Sequence, residues 1–257
     1  MNCHICDDKL KLIASFKKPQ NKEKIFTSLK KFNKKIYKCK TCEHHFIKSY
    51  NYKLNDQIYK KSYGISAYGN LINRFNKISS LKKNQSSNFH RRKFILQNFK
   101  INKNHKLLDF GSGLGIFPHS IRKDCKCFFY EKDRITRKFC IDQLNLKFIS
   151  LKNLKNNIFD FITCNKVLEH LNIEDIKKCL KKFKKTLKNN GKIYIELPSI
   201  NANKLGYHRQ EFFSEHINLF SEKSAQIFFT KNGFKIENLF SINENGDKFT
   251  MRIILVN

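Results

Sequence analysis

From about residue 105 onward, apolar and polar positions predict strands and helices in alternation. Short apolar runs with polar flanks predict seven strands. They cover residues 106–110, 125–131, 146–150, 159–164, 192–197, 234–240 and 251–256. Segments with apolar residues three and four positions apart predict helices. These lie near 115–123, 134–144, 173–188 and 221–231. Such alternation is typical of an α/β domain.

The last two predicted strands are separated only by residues 241–250. Two parallel strands need a crossover of a dozen or more residues between them, and this connection is shorter. We therefore expect these strands to pair as an antiparallel hairpin at the edge of the sheet.

The patterning divides the chain into three segments. Residues 1–50 carry paired cysteines and predict a small metal-binding module. Residues 51–104 are rich in Tyr, Asn, Ser and Lys, with a helical pattern around 88–100, and predict a connecting segment that covers the substrate. Residues 105–257 predict the α/β domain.

Composition adds a formal charge of +31 over 257 residues. Lysine runs such as 176–192 follow helical spacing with apolar residues on the opposite face, which is typical of a solvated helix surface. The bias toward Lys, Asn, Ile and Phe also resembles that of an AT-rich coding genome. We therefore favour genome composition over nucleic-acid binding as the cause of the positive charge. No apolar run of about twenty residues and no apolar signal core are present, and we expect a cytoplasmic protein without a membrane span.

The segment 107–115, LLDFGSGLG, predicts a strand that ends in a tight glycine loop before a helix. Gly111, Gly113 and Gly115 are spaced differently from the dinucleotide fingerprint, whose third glycine position holds Ile116. A pyrophosphate at this loop would also approach the carboxylate of Asp109, an unfavourable like-charge contact. S-adenosylmethionine (SAM), which carries a sulfonium and an ammonium and no phosphate, fits better.

A second acid supports a nucleoside ligand. Glu131 ends the next predicted strand, 20 residues after Gly111. An acid at this position can accept hydrogen bonds from ribose hydroxyls.

Two C-x-x-C pairs lie in the first segment: Cys3 with Cys6, and Cys39 with Cys42. Four thiolates in two such pairs are typical of a closed structural Zn²⁺ site. The 32 residues between the pairs predict a hairpin or helix of their own. The other five cysteines are expected to be reduced and buried.

Taken together, 105–257 resembles the class I SAM-dependent methyltransferases. The resemblance rests on the glycine loop, on Glu131, and on the segments FDFITCNKVLEHL, LKNNGKIYIELPS and a late one beginning EHINLF. In LKNNGKIYIELPS, a helix is expected to turn at glycine into the fifth strand. It implies a Rossmann-like seven-stranded sheet with an antiparallel last strand. It also implies positions that bind the donor. These are Asp109, Gly111, Ser112, Gly113, Gly115, Glu131 and Asn165, with Ser150 and Leu151 beside adenine.

Methyl transfer from SAM depends mainly on positioning and water exclusion, and a base is needed only for an acceptor that holds its proton. Glu215 and His216 lie on a predicted loop before a helix, where substrate loops of open α/β sheets belong. His170 is a further catalytic candidate, with packing beneath the cofactor as the alternative.

A cysteine module before this core also resembles the sugar C-methyltransferases that act on nucleotide-linked deoxyketosugars. Tyr59, Tyr63 and Tyr68 would line the substrate, and the segment ending in Glu215-His216 would supply the base. Phe213 stands where those enzymes have tyrosine, and we expect no counterpart of their further carboxyl-terminal domain. O- or N-methylation of a small molecule, RNA base methylation and a non-enzymatic binding module therefore remain alternatives. The acceptor and the oligomeric state stay open.

Overall fold

The computed structural model describes residues 1–21, 23, 32–49, 68–244 and 248–257. Its strands are β1 (Leu10–Phe16), β2 (Lys34–Cys39), β3 (His45–Ser49), β4 (Lys106–Phe110), β5 (Lys126–Tyr130), β6 (Lys147–Phe148), β7 (Phe159–Asn165), β8 (Leu187–Pro198), β9 (Asn218–Leu219), β10 (Lys235–Glu244) and β11 (Lys248–Val256). Its α-helices are α1 (Leu71–Ser79), α2 (Ser87–Phe99), α3 (Ile116–Ile121), α4 (Arg134–Asp142), α5 (Ile173–Thr186) and α6 (Glu222–Lys231).

Seven strands form one mixed sheet in the order β10-β11-β8-β7-β4-β5-β6. The predicted Rossmann-like α/β fold and the antiparallel strands at its end are confirmed. β4 is an inner strand and pairs in parallel with β5 and β7. Leu107 and Leu108 on β4 are fully buried, as expected for a strand covered on both faces.

The register around β4 positions the candidate site. Asp109 is aligned with Phe129 of β5 and with Thr163 of β7. Because carboxyl ends of parallel strands meet at one edge of a sheet, the residues that follow these strands are brought together there.

One predicted turn is wrong. The helix expected through residue 188 ends at Thr186, and β8 begins at Leu187 and passes straight through Gly191. A Cβ at Gly191 would lie 2.6 Å from Leu187 Cγ and 2.8 Å from the carbonyl oxygen of Asp160. The glycine therefore permits a close approach of the neighbouring backbone within the sheet, where the sequence suggested a helix end.

A smaller antiparallel sheet has the order β1-β2-β3-β9. β1 and β2 come from the residues between the two cysteine pairs and form the arms expected of that insert. β9 joins them from far along the chain, with Asn218 opposite Phe46. The core of this sheet contains Ile36, Ile47, Phe212 and Leu219.

Two units are distinguished within the chain. The first consists of the described residues of Met1–Asp56 with Lys166–Lys181 and Ile195–Leu255. The second consists of those of Gln57–Asn165 with Lys182–Tyr194 and the last two residues. The three-segment division at residues 50 and 104 stays a prediction. Among the described residues, no helix combines the length and apolar character that crossing a bilayer requires.

Candidate functional site

The second unit contains the glycine loop, which follows β4. Gly111, Gly113 and Gly115 have φ angles of 77°, 52° and 73°, a backbone region that favours glycine. The N–H groups of Gly111 and Ser112 donate to the carbonyl of Tyr130, at 2.8 and 3.2 Å. These bonds fix the start of the loop against the end of β5.

Glu131 contacts the same loop. Its Oε2 accepts from the N–H of Gly113 at 2.7 Å, and its Oε1 accepts from the N–H of Asp133 at 2.8 Å. Burial raises the pKa of the Glu131 carboxyl. The carboxylate thus stabilises the loop, and its position at the end of β5 is the one predicted from sequence.

Asp109 is 2% exposed and lies at the end of β4. Its Oδ1 accepts from Thr163 Oγ1 at 2.7 Å and from Asn165 Nδ2 at 3.1 Å. Burial raises the pKa of this carboxyl to about 7, although the two hydrogen bonds act in the opposite direction. The carboxylate is therefore poised to change its charge near neutral pH.

Two buried polar atoms beside these groups have no hydrogen-bond partner among the described residues: Ser112 Oγ and Asn165 Oδ1. Buried polar groups are normally paired, so unpaired ones next to a glycine loop indicate a ligand that supplies the partners. An amino-acid end with ammonium donors suits an amide oxygen beside Asp109. The residues fit the SAM expected from sequence.

Tyr68, one of three tyrosines expected to line the substrate, lies over the glycine loop. A Cβ at Gly113 would come within 2.9 Å of its hydroxyl. Tyr59 and Tyr63 lie outside the described residues. Leu151 accepts at its carbonyl from Lys182 Nζ at 2.9 Å, and the adenine-flanking role of Ser150 and Leu151 stays a prediction.

The first unit contains the catalytic candidates. A single 3₁₀ turn, Leu168–His170, carries one part, and the loop after the 3₁₀ turn Gln210–Phe212 carries Glu215 and His216. The rings of His170 and His216 are 4.9 Å apart between centroids. His216 Nε2 is 3.9 Å from Glu215 Oε1. The structure thus brings together all three residues predicted for catalysis.

Backbone bonds set the orientation of both imidazoles. His170 Nδ1 lies 2.9 Å from the carbonyl oxygen of Glu215, and His216 Nδ1 lies 2.9 Å from that of Glu211. Because a carbonyl only accepts, each Nδ1 carries a proton, and a ring in its neutral form has its lone pair at Nε2. Burial lowers the pKa of His216 to about 3, so this ring is neutral at physiological pH.

Sequence reasoning missed Glu169, which lies beside these histidines. Its side chain is buried, and its main-chain carbonyl accepts from Ile217 N at 2.7 Å. The adjacent letters Glu-His in 169–170 were the available signal, and we assigned only the histidine a role.

A buried ion pair that we also did not predict supports the loop. Lys34 Nζ donates to Glu23 Oε2 at 3.0 Å and to the carbonyl of Phe212 at 2.9 Å. Glu23 Oε1 in turn accepts from the N–H of Ser214 at 2.6 Å. This pair ties the amino-terminal strands to the residues just before Glu215.

The four paired cysteines converge in the first unit, as expected. Their sulfur atoms lie within 4.8 Å of one another, with Cys3–Cys42 at 3.5 Å and Cys6–Cys39 at 3.4 Å. Four sulfurs around one Zn²⁺ at about 2.3 Å lie about 3.8 Å apart, so the cluster fits a tetrahedral ion. The contact with Cys42 lowers the pKa of Cys3 to about 5, which favours a thiolate there.

Both knuckles have the same backbone pattern. Asp7 and Glu43, each directly after the second cysteine of a pair, have φ angles of 66° and 59°. The N–H of each donates to the carbonyl of the first cysteine, at 2.8 and 3.2 Å. Two turns of the same type that direct four sulfur atoms toward one position are typical of a structural metal site.

The sheet order, the glycine loop and the acid after β5 together define the class I SAM-dependent methyltransferases. Residues 81–239, more than half of the chain, match the model of a family described as a methyltransferase domain, and the chain belongs to this family.

One curated relative matches part of the chain. A curated protein of Methanocaldococcus jannaschii, itself uncharacterized, is 29% identical over 150 residues. That alignment covers 55% of this chain and 60% of the relative, so the chain spans less than two thirds of the relative's length.

Two solved structures show the same fold at low identity. A SAM-dependent methyltransferase from Archaeoglobus fulgidus has 17% identity and a TM-score of 0.52, over 68% of this chain and 96% of its own. A chain from the Haloferax volcanii complex between a methyltransferase and its Trm112 activator has 14% identity and a TM-score of 0.56, over 75% and 95%.

Proposed function

We propose that this methyltransferase acts on a small molecule, with nucleotide-linked sugars of surface-glycan biosynthesis as the first class to test. The donor is assigned to Asp109, Gly111, Ser112, Gly113, Gly115, Glu131 and Asn165. Ser112 Oγ and Asn165 Oδ1 are buried without a hydrogen-bond partner in the described part of the chain, and Asn165 Nδ2 donates to the carboxylate of Asp109. These observations support the assignment most directly. Asp109 and Asn165 would take the ammonium, and Glu131 the ribose hydroxyls.

Glu215 is the proposed base, with His216 and His170 beside it. The low pKa of His216 makes its ring a weak proton acceptor, and this favours the neighbouring carboxylate for removing a proton. A base is needed for carbon α to a ketone or for a hydroxyl, which both hold their protons tightly. The loop that carries Glu215 belongs to the part of the fold where substrate loops of open α/β sheets lie.

We assign a structural Zn²⁺ to Cys3, Cys6, Cys39 and Cys42. When bound, the ion would cross-link the two knuckles, and four thiolates leave it no position for a substrate. Its role is therefore to stabilise the fold around the loop that carries Glu215.

The test is methyl transfer from labelled SAM to nucleotide-linked deoxyketosugars in one series and to rRNA and tRNA in another. We expect label in the sugar series, and we expect Glu215→Gln with His216→Asn to abolish it while SAM affinity stays at the wild-type value. Glu174→Gln, an exposed acid on α5, is the matched control. Wild-type turnover in the double variant would refute the assignment of the base.

RNA is the second candidate, because the charge of +31 favours it. A salt titration separates the two candidates. Binding to phosphates alone weakens steeply as salt rises, whereas a specific RNA complex stays tight at physiological salt. Tight specific binding together with label in RNA would replace the small-molecule proposal.

A further inference from the structure

Among the described residues of the first unit, Glu169 has a buried carboxylate with both oxygens unpaired. The residue is 1% exposed, and neither of its oxygens has a hydrogen-bond partner among the described residues. Burying a carboxylate without partners is costly, and native proteins compensate by pairing it, protonating it or coordinating a metal. The surroundings of Glu169 decide between these solutions.

Two imidazoles lie beside this carboxylate, and backbone contacts fix the orientation of both rings. Since Nδ1 of His170 and Nδ1 of His216 each donate to a main-chain carbonyl, Nε2 is the nitrogen through which each ring, in its neutral form, would bind a metal. Metal-binding histidines show this same arrangement, in which the second nitrogen donates to a carbonyl or carboxylate and fixes the ring.

One ligand atom from each of Glu169, His170 and His216 lies within 4.8 Å of the other two. Ligands at about 2.1 Å from one ion are at most about 4.2 Å apart, so small side-chain rotations would close the set. We infer that these three residues bind a divalent transition-metal cation through one carboxylate and two imidazoles, with positions left open for an oxygen of the acceptor.

The charges around the cluster are compatible with a cation. Lys166 acts electrostatically on both Glu169 and His216, and its Nζ donates to Thr250 Oγ1. The carboxylates of Glu169 and Glu215 oppose the positive charge of Lys166. Lys34 also acts on His216, but it is paired with Glu23. Ionised, the two carboxylates outnumber Lys166 and leave one negative charge for the cation to offset.

Two imidazoles and one carboxylate suit Zn²⁺, Fe²⁺, Mn²⁺ or Co²⁺ and leave coordination positions vacant. A cation there would polarise an acceptor oxygen and lower the pKa of a hydroxyl, or of a carbon next to a ketone. Glu215, outside the ligand set, would take the proton released. This role in catalysis rests on the proposed function, whereas the binding of the ion does not.

The experiment titrates Co²⁺ into the full chain already loaded with one Zn²⁺, following heat and visible absorption. We expect one further equivalent of Co²⁺ per chain with ligand-field bands and no sulfur charge-transfer band. Glu169→Gln and His216→Asn should each weaken this binding at least tenfold, a loss of the size that even supporting groups of metal sites show. Glu174→Gln should bind Co²⁺ as the wild type does.

Absence of the second equivalent, bands from thiolate ligands alone, or wild-type affinity in both ligand variants would overturn the inference. SAM affinity, measured on the same samples, reports whether each variant is folded. If Co²⁺ binds as expected but no acceptor is methylated, the proposed substrate fails and the ion site stands. If Co²⁺ does not bind and enzyme loaded with one Zn²⁺ alone methylates the acceptor, the ion site fails and the proposed function stands.

Discussion

The main-chain N–H of Gly113 donates to the carboxylate of Glu131 at 2.7 Å. The middle of the glycine loop and the acid that ends β5 are therefore one hydrogen-bonded structure. A change at Glu131 acts on the shape of the loop as well as on any ribose that the acid contacts.

We expect Glu131→Ala to weaken SAM binding at least tenfold and to lower the free energy of unfolding by about 1–3 kcal/mol. The substitution leaves the N–H groups of Gly113 and Asp133 without an acceptor, and an unpaired buried donor costs about this much. Calorimetric titration with SAM and chemical denaturation measure the two effects. Glu131→Gln, which keeps an acceptor oxygen, should lose less stability. Unchanged SAM affinity in the alanine variant would contradict the assignment of Glu131.

The affinity for SAM should depend on pH through Asp109. Its carboxyl has a pKa of about 7 in the folded protein without ligand, so it is largely protonated below that pH and charged above it. Because the donor's ammonium favours the charged form, SAM affinity should fall as pH drops from 8 to 6, by up to about tenfold per unit below the pKa. Titrations at three pH values test this, and Asp109→Asn should flatten the profile.

Without SAM the same group acts on stability with the opposite sign. A raised pKa means that the folded state binds the proton more tightly, so Asp109 costs stability as pH rises from about 4 through 7. The unfolding temperature of Asp109→Asn minus that of the wild type should thus be larger at pH 7.5 than at pH 5. Asp142→Asn, an exposed acid on α4, is the matched control and should show no such difference.

The purified protein should contain one tightly bound Zn²⁺ per chain, apart from any ion at Glu169. Cys42→Ser should abolish it and lower the unfolding temperature by several degrees, since metal binding by a structural site contributes directly to folding. Elemental analysis and thermal unfolding measure this. Cys179→Ser, on α5 and outside the four-cysteine cluster, should keep the full zinc content. A metal-free wild type with unchanged stability would refute the structural role.

Gly115→Ala should destabilise the protein more than Gly206→Ala. Both glycines have positive φ angles, 73° and 95°, so each alanine incurs backbone strain of about 1–2 kcal/mol. A Cβ at Gly115 would also lie 2.9 Å from Cys140 Sγ and from Leu146 Cδ1, whereas a Cβ at Gly206 meets nothing within 4 Å. Overpacking adds about 1–3 kcal/mol. Equal losses in denaturant unfolding would show that the core beneath the loop adapts.

Local pattern was enough to predict where the candidate residues at the ends of the strands lie in the fold. Asp109, the glycine loop and Glu131 lie next to short apolar runs whose strand character is unambiguous, and their order along the chain fixes where parallel strands place them. Gly191 shows the limit of this reasoning. A glycine after a helical lysine run suggests a turn, and only the close approach of Asp160 shows why the position needs no side chain.

Other features depend on contacts between distant segments, which local pattern does not encode. Lys34 is one of 52 basic residues, and nothing in its sequence neighbourhood distinguishes it as the buried partner of Glu23. Glu169 is a similar case, because its cluster with the two histidines depends on a loop more than forty residues later that brings His216 beside His170. Burial and pairing of this kind follow from tertiary packing alone.

The pairing of β3 with β9 has a consequence for biogenesis. His44 and Asn218, joined by a 3.1 Å hydrogen bond, are separated by 174 positions in the chain. During synthesis, β1 to β3 emerge from the ribosome long before β9, which completes their sheet. The edge of β3 that pairs with β9 therefore stays uncovered while most of the protein is still being made. Early capture of Zn²⁺ by the cysteines would guard this exposed intermediate against aggregation, and zinc starvation should lower the yield of newly made protein more than it harms molecules already folded.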